Sequence, residues 1–341
     1  MVVAESGRTK APTLYDVARL AGVSHQTVSR VVKGQPHVSD EVRARVTAAI
    51  EYLNYRPNQS ARSLATSRSN RIGAIAYELR ASGPSAIVEA ASARARDRGY
   101  VLDIVSLDPG SDAGIADAIT LVTQSHLAGV LAFTPTQQVV EALNRAHFSV
   151  PISLESESDD GSAHASHTGE DGVDLMIDHL AGLGHRRMFL IGGPDGWLAA
   201  EGRSRAYLRS LAERGLTSVG SVPGDWSAQS GYDGAARMPL DAGITAVVAA
   251  NDQTALGAIA ALTERGLRVP DDISVVGFDD IPESRFFQPA LTTVRYDFAS
   301  QGRLLTDRLI ARIEGEQVPD AGALAPPAAV IRASSAPART R

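Results

Sequence analysis

The chain has 341 residues, of which 44% are hydrophobic and 21% are charged. This composition is typical of a globular protein with two or three domains, and it excludes an intrinsically disordered chain. Cysteine is absent, which excludes disulfides, thiolate metal sites and cysteine nucleophiles. Neither Lys10 nor Lys33, the two lysines of the chain, lies in a glycine-rich phosphate loop, which excludes a Walker-type NTPase.

Neither a membrane segment nor a signal peptide is predicted. The longest apolar runs, such as residues 244–250, are far too short to span a bilayer. Residues 1–12 carry charged side chains and no apolar stretch of the kind that a signal peptide needs. We therefore expect a cytoplasmic protein that does not bind membranes.

Charge is distributed unevenly along the chain, whose formal net charge is −6. Residues 1–71 contain eleven Lys or Arg against five Asp or Glu, whereas the remainder contains 22 against 34. A basic segment attached to an acidic body is typical of a protein that binds a polyanion, above all nucleic acid, at one end only. The alternative is a chance cluster of basic residues in a solvated segment.

The N-terminal segment is predicted to form three short helices. Thr13 is a capping residue before an apolar stripe at helical spacing, and Gly22 can end this first helix in the left-handed conformation. Ser24 then caps a second helix over residues 25–32, and Ser39 caps a third. Two helices joined by a short turn containing glycine are typical of the helix-turn-helix motif.

In a helix-turn-helix motif the second helix enters the major groove of DNA. Gln can pair with adenine and Arg with guanine through two hydrogen bonds each. The alternative is a small surface helix pair without a ligand. The exposed positions near the start of the second helix here are all polar: His25, Gln26, Thr27, Ser29 and Arg30.

Residues 13–65, TLYDVARLAGVSHQTVSRVVKGQPHVSDEVRARVTAAIEYLNYRPNQSARSLA, resemble the DNA-binding head of the LacI/GalR family of bacterial transcriptional regulators. His25 departs from the best-matching family pattern, which has tyrosine there, and this change affects which operator is read. Pattern and resemblance together assign DNA contacts to Tyr15, Ser24, His25, Gln26, Thr27, Ser29, Arg30, His37, Asn58 and Leu64.

Residues 58–65 are predicted to form a hinge. Asn58 can cap a short helix, but eight residues are too few for a stable isolated helix in water. The resemblance implies a hinge helix that forms on DNA and wedges Leu64 into a central minor-groove step, which bends the duplex. The alternative is a plain linker.

From residue 71 onward, apolar strand-like runs alternate with amphipathic helical stretches. This alternation predicts an α/β body of two doubly wound parallel-sheet subdomains, with ligands bound at the carboxyl ends of the strands. The predicted strands are 72–77, 101–106, 129–133, 151–154, 187–192, 244–251 and 273–279. The predicted helices are 85–98, 112–125, 137–146, 170–183, 199–214, 227–238 and 254–265.

Other candidate sites in the body are weak. The glycines of residues 191–196 have the wrong spacing for a dinucleotide-binding fingerprint, so a strand-to-helix loop is favoured. His164 and His167 lie three residues apart but have no carboxylates nearby, so a surface loop is favoured over a metal site. No catalytic motif is present, and we expect neither an enzyme nor a cofactor.

The resemblance continues to about residue 333, most clearly in residues 224–235, 248–284 and 289–298. It implies a periplasmic-binding-protein-like body with an inducer cleft. Its C-terminal wall is kept, whereas its N-terminal wall departs from the best-matching pattern at Tyr77, Glu155 and Ala199. The implied cleft residues are Arg203, Trp226, Asn251, Gln253, Asp279 and Phe298, with Tyr77, Pro84, Ile87 and Glu155 on the other wall. We expect Arg203 and Asp279 to face each other across the cleft as a charged donor and a charged acceptor that fix the orientation of a polyol.

The sequence thus predicts a DNA-binding repressor that binds a palindromic operator as a homodimer and is released by a small sugar. A regulator with a purine corepressor is the alternative, and a sugar receptor without DNA function or an enzyme on the same fold is disfavoured. We expect a head over residues 13–57, a hinge and linker over 58–70, and an effector-binding and dimerisation domain over 71–335. Residues 322–341 contain three prolines and one leucine, so we expect no leucine heptad helix in this segment. Because the tetramers of this family are held by such a helix, we expect no tetramer.

Overall fold

The structure is a computed structural model that describes residues 12–32, 35–36, 38–55, 69–156, 169–319 and 324–339, with only the backbone described at Glu155 and Ser156. Contacts within the chain separate it into two compact units, Met1–Ser69 and Asn70–Arg341. We call the first unit the head and the second unit the body. No helix of the described residues is long and apolar enough to cross a membrane.

The head forms the predicted helices, because its local end signals are strong. The hydroxyl of Thr13 accepts from the N–H of Asp16, whose carboxylate accepts from the N–H of Thr13 in return. Gly22 ends the first helix at φ 63°. The fully buried Val17 and Val28 lie in one core. The helices are α1 (Leu14–Ala21), α2 (His25–Val32) and α3 (Asp40–Tyr52).

The first half of the body is a parallel sheet with helices on both faces. Its strand order is β2-β1-β3-β4, and its side chains alternate between two cores, with Leu131 on one face and Val130 on the other. The strands are β1 (Arg71–Ala76), β2 (Val101–Ser106), β3 (Gly129–Thr134) and β4 (Ile152–Ser156). The helices are α4 (Ser82–Asp97), α5 (Asp112–Gln124) and α6 (Gln137–Arg145).

The second half repeats this architecture with the order β6-β5-β7-β8, again all parallel. Leu190 and Ile191 of its central strand face opposite cores. The strands are β5 (Arg187–Ile191), β6 (Thr217–Val222), β7 (Ala246–Ala249) and β8 (Ser274–Val276). The helices are α7 (Gly169–Gly182), α8 (Leu198–Glu213), α9 (Ala228–Ala236) and α10 (Asp252–Glu264), with short 3₁₀ turns at Leu240–Ala242 and Pro282–Phe286.

The chain then returns to the first half, which the sequence pattern did not predict. β9 (Thr293–Arg295) lies beside the second sheet, and the long helix α11 (Phe298–Glu314) packs against α4, β3 and β4 of the first. The packing is close at Gly302, where a Cβ would lie 2.2 Å from the carbonyl oxygen of Ile87. β10 (Ala328–Val330) pairs with β9 in an antiparallel ladder. We call the half that contains β1–β4 and α11 the N-terminal subdomain, and the half that contains β5–β10 the C-terminal subdomain.

The predicted fold class is confirmed: an all-α head and a body with two parallel α/β sheets. The prediction missed β6, β9, β10 and α11. Predicted and observed bounds agree for α2 and β2, and most other elements differ by one to three residues. The glycines of residues 191–196 lie in a loop between β5 and α8, as favoured above. His164 and His167 lie outside the described residues.

Candidate functional site

The second helix of the head presents polar side chains to solvent. Val28 of α2 is fully buried, whereas His25, Gln26 and Arg30 are exposed. The hydroxyl of Ser24 accepts from the backbone N–H of Thr27 at 3.1 Å and so caps the helix. One face of α2 therefore anchors the helix in the core, and the other is available for a ligand.

An aromatic side chain of α1 extends this face. The Tyr15 ring is 65% exposed and its centroid lies 5.2 Å from that of the His25 ring. Thr27 and Ser29 are half-buried beside them. Donors and acceptors presented in this way match the edges of bases and the phosphates of DNA. His37, Asn58 and Leu64 lie outside the described residues, so their assignment stays a prediction.

The body contains a cleft between its two subdomains, at the carboxyl ends of the strands. Most of the predicted effector residues meet there, although Gln253 does not line the cleft and the side chain of Glu155 is not described. The lining residues are Tyr77, Glu78, Ala81, Gly83, Pro84, Ile87, Trp197, Ala199, Arg203, Trp226, Asn251, Asp279 and Phe298. Loops and helix starts that follow parallel strands supply most of them, as is usual for ligand sites in α/β folds.

An ion pair forms the charged part of the cleft. Nη2 of Arg203 lies 3.8 Å from Oδ1 of Asp279, and the two side chains are only 8% and 10% exposed. The Arg203 guanidinium also donates to the carbonyl oxygen of Ala250, and its Cζ lies over the Phe278 ring, 3.7 Å from the ring centroid. These contacts fix a donor and an acceptor side by side at the cleft wall, which is what directed binding of neighbouring hydroxyls needs.

Aromatic rings line the rest of the cleft. The Tyr77 and Trp197 rings meet edge to face, 5.3 Å apart at 78°, and Trp197 and Trp226 meet in the same way, 6.3 Å apart at 68°. Trp226 packs directly on the backbone of Gly193, where a Cβ would lie 2.4 Å from the indole ring. The loop over residues 191–196 therefore needs glycine to seat an aromatic side chain rather than to bind a dinucleotide.

Strained backbone is concentrated at this cleft. Within the described part of the body, four residues other than glycine have a positive φ: Glu78 (39°), Trp226 (67°), Asp279 (107°) and Asp280 (53°). Three of them line the cleft, and Asp280 follows the third. Left-handed conformations cost about 1–3 kcal/mol each and persist where the surrounding structure holds them, often at binding sites.

Two further polar residues tie the cleft to the fold. Asn251 caps α10 by accepting from the N–H of Thr254 at 2.8 Å, and its amide donates to the carbonyl oxygen of Trp226 at 3.0 Å. Gln253 donates to the hydroxyl of Ser82 at 2.9 Å, which links α10 to α4 across the two subdomains. Asn251 thus positions Trp226, and Gln253 joins the subdomains beside the cleft.

The structure corrects three details of the predicted cleft. Phe298 belongs to the N-terminal subdomain, because it starts α11 and packs against Gly83 of α4. Ala199 lies in α8 of the C-terminal subdomain rather than on the N-terminal wall. Arg203 and Asp279, which we expected to face each other across the cleft, lie next to each other on one wall because β8 and α8 belong to the same subdomain.

Four lining residues were not predicted, Glu78, Ala81, Gly83 and Trp197, of which Glu78 and Trp197 have functional side chains. Trp197 directly precedes α8, and its place after a strand and a glycine-rich loop could have marked it as a cleft residue. Glu78 lies two residues after β1, so its place at the carboxyl end of a strand is the same kind of signal. Burial, and next the neighbouring carboxylate of Asp225, raise the pKa of Glu78 above its ordinary value. The carboxylates of Glu78 and Asp225, which belong to different subdomains, therefore repel each other when both are ionised.

The described residues contain no group of three or more His, Asp or Glu side chains that could hold a metal ion. The polar groups of the cleft are an ion pair, an amide and a carboxylate among aromatic rings. This arrangement can bind and orient a small polar molecule.

Comparison with known proteins identifies the family. Residues 13–58 match the bacterial regulatory proteins of the lacI family, and residues 177–335 match the periplasmic binding protein-like domain. The lactose operon repressor of Escherichia coli (strain K12) is 39% identical over 315 residues, which are 91% of this chain and 87% of that protein. The HTH-type transcriptional repressor PurR of Edwardsiella ictaluri (strain 93-146) is 32% identical over 313 residues, 89% of this chain and 91% of that protein.

A solved structure extends this likeness to the whole fold. The crystal structure of the lac repressor dimer bound to operator and the anti-inducer ONPF matches with a TM-score of 0.88 at 37% identity, over 96% of this chain and 100% of that one. These relatives are transcriptional repressors and not enzymes, in agreement with the prediction. The chain belongs to the lacI family of bacterial regulatory proteins and is a DNA-binding transcriptional repressor.

Proposed function

We propose that this repressor binds a palindromic operator as a homodimer in the cytoplasm and is released from it by a small sugar. The observation that carries the proposal is the cleft, where the Arg203–Asp279 ion pair lies beside aromatic rings. Sugars present neighbouring hydroxyls, which suit a fixed donor and acceptor, and C–H faces, which suit aromatic rings.

A purine corepressor is the second candidate, because PurR is a relative at 32% identity and aromatic rings also stack on purines. The angles between the rings favour a sugar. Tyr77, Trp197 and Trp226 meet at 78° and 68°, so no two neighbouring rings of this set can stack in parallel on one flat base. A sugar ring has both faces and edges of C–H groups, and it can contact rings in all of these orientations.

Release would work by a shift between conformations. A ligand that moves an equilibrium from 1:99 to 99:1 must favour one state by about 5.5 kcal/mol. Two or three charge-assisted hydrogen bonds of about 1.5–3 kcal/mol each supply this amount. The sugar would stabilise a closed cleft that holds the N-terminal subdomains of the dimer apart, so that the two hinge segments no longer fit one minor groove.

A thermal-shift screen of the full chain tests this proposal. Galactose, glucose, xylose and their methyl glycosides are compared with adenine, guanine and hypoxanthine. We expect a sugar to raise the unfolding temperature of the body, since a ligand that binds only the folded state stabilises it. The same sugar should release an operator selected from random duplex DNA in a gel-shift assay. Stabilisation by a purine alone, with tighter DNA binding, would refute the sugar assignment and favour the corepressor.

A further inference from the structure

The cleft contains a carboxylate that has no cation beside it. Arg203 and Asp279 form an ion pair with each other, whereas Glu78 takes part in no ion pair within the described part of the chain. Two carboxylates and one guanidinium therefore line the cleft, and one negative charge is left over among the lining side chains that the structure describes. Glu78 is exposed, so a ligand in the cleft can reach it.

A second carboxylate acts on Glu78 from the other subdomain. Asp225 precedes Trp226 in the loop between β6 and α9. The hydroxyl of Ser227 donates to Asp225, and this hydrogen bond holds the pKa of Asp225 below its ordinary value, so the carboxylate is charged at neutral pH. Partial burial, and next the charge of Asp225, raise the pKa of Glu78. A cation bound beside Glu78 would offset both effects.

Two aromatic rings form a corner at the same wall. Tyr77 and Glu78 are neighbours in sequence, and in an extended chain their side chains would point to opposite faces. The positive φ of Glu78, 39°, turns the backbone after β1, and both side chains line the cleft. The rings of Tyr77 and Trp197 meet at 78°. A compact cation that enters such a corner can contact the faces of two rings at once.

The protein's own cation occupies the opposite side of Trp197. Cζ of Arg203 lies 5.4 Å from the centroid of the Trp226 ring, and the Trp197 ring lies between Trp226 and Tyr77. A second cation next to Arg203 would be repelled. A cationic group of a ligand is therefore favoured on the Tyr77 side of Trp197, whereas its hydroxyls are favoured at Arg203.

We propose that the effector is an amino sugar, whose ammonium group binds Glu78 in the corner of Tyr77 and Trp197 while its hydroxyls bind Arg203 and Asp279. An ammonium group donates to carboxylates and also lies on aromatic faces, so it satisfies both kinds of side chain. Glu78 and Trp197 belong to different subdomains, so the bound ammonium group stabilises a closed cleft. This inference rests on the proposed sugar effector and adds the charge of the ligand to it.

Calorimetric titration of the full chain tests the inference with sets of matched ligands. Each set contains a parent sugar, the amine in which one hydroxyl is replaced, and the N-acetyl derivative of that amine. The parents are glucose, galactose and xylose, and every hydroxyl other than the anomeric one is replaced in turn. At neutral pH one amine should bind at least about tenfold more tightly than its parent and its N-acetyl derivative, because its charge is attracted to the carboxylate. This preference should decrease in about 1 M salt, which screens exposed charges.

Glu78→Gln keeps the shape of the side chain and removes its charge. It should reduce the preference for the amine over the parent sugar to less than about threefold. General damage to the cleft would instead weaken both ligands alike and leave their ratio unchanged. Glu141→Gln is the matched control, because Glu141 is an exposed glutamate of α6 in the same subdomain and does not line the cleft. Its ratio should equal that of the unmodified protein.

The outcomes separate this inference from the proposed function. If no amine binds more tightly than its parent sugar, or if Glu78→Gln leaves the preference for the amine unchanged, the inference is overturned while a sugar effector stays in place. If no sugar binds, with or without an amine, the sugar assignment and this inference both fail.

Discussion

Asp279 gives the sharpest test of the cleft, through the substitution Asp279→Asn. The change keeps the shape of the side chain and removes its charge, and asparagine tolerates the positive φ of 107° at this position. A hydrogen bond to a charged group contributes about 1.5–3 kcal/mol and one between neutral groups about 0.5–1.5 kcal/mol. Loss of charge on an acceptor of one or two ligand hydroxyls should therefore weaken inducer binding about tenfold to hundredfold.

Arg203→Ala is the less informative change at this site. It would remove the guanidinium that lies 3.7 Å from the Phe278 ring centroid, and it would leave the Asp279 carboxylate, only 10% exposed, without its cation. Breaking a buried ion pair in this way costs about 3–5 kcal/mol of stability. In Asp279→Asn, by contrast, Arg203 keeps its hydrogen bond to Ala250 and its contact with Phe278.

The assay is calorimetric titration with the sugar found in the thermal-shift screen, together with the inducer concentration that releases half of the operator. Operator binding without inducer should match that of the unmodified protein, because the head is unchanged. Asp241→Asn is the control, an exposed aspartate of the same subdomain that does not line the cleft. If Asp279→Asn responds at the same inducer concentration as this control, the carboxylate does not contact the ligand and the cleft assignment is wrong.

Three other predictions follow from the structure. Gln26→Ala should cost about 1–3 kcal/mol of operator affinity and relax the preference at one base pair in each half-site, with no loss of affinity for random DNA. Equal losses of affinity for operator and for random DNA would show that Gln26 does not read bases. Burial raises the pKa of Asp252 to about 6 from its usual 3.8. The free energy of unfolding should therefore fall between about pH 4 and pH 6, because the carboxyl ionises in the unfolded chain while it stays protonated in the folded body. Asp252→Asn should flatten that fall in urea titrations followed by tryptophan fluorescence, and parallel curves for both proteins would contradict the raised pKa. Light scattering should show a dimer rather than a tetramer, because residues 322–341, with three prolines and one leucine, cannot form a leucine heptad helix that would join two dimers. A stable tetramer would count against this expectation.

Local signals explain the parts of the fold that were predicted well. Ser24 caps the start of α2, whereas Thr13 and Gly22 cap the start and the end of α1. Each of these residues lies within one turn of the helix end that it determines. The missed helix α11 also carries such signals. Asp297 caps it, Gly315 ends it at φ 72°, and Leu305 and Leu309 form part of its buried stripe. Its place was not predicted because the segment follows the second set of strands yet packs in the first subdomain.

The geometry of the cleft depends on contacts between residues far apart in the sequence. Arg203 and Asp279 were predicted as cleft residues, but their contact joins α8 to the loop after β8, and no local pattern encodes it. The bridge between Thr136 and Trp197 is of the same kind. Residue types therefore indicated which side chains line the cleft, whereas the arrangement of these side chains required the tertiary structure.

The return of α11 to the first subdomain has a consequence for recombination between relatives. The head is one continuous stretch of sequence, Met1–Ser69, so a single crossover near residue 70 exchanges it whole. The N-terminal subdomain is encoded in two stretches, because Phe298–Glu314 packs on β3 and β4 from the far end of the chain. A crossover between these stretches would pair a sheet from one parent with a helix from another across a close-packed core. Exchange of heads, and hence of operators, is therefore open to simple genetic events, whereas exchange of half a cleft needs two coordinated ones.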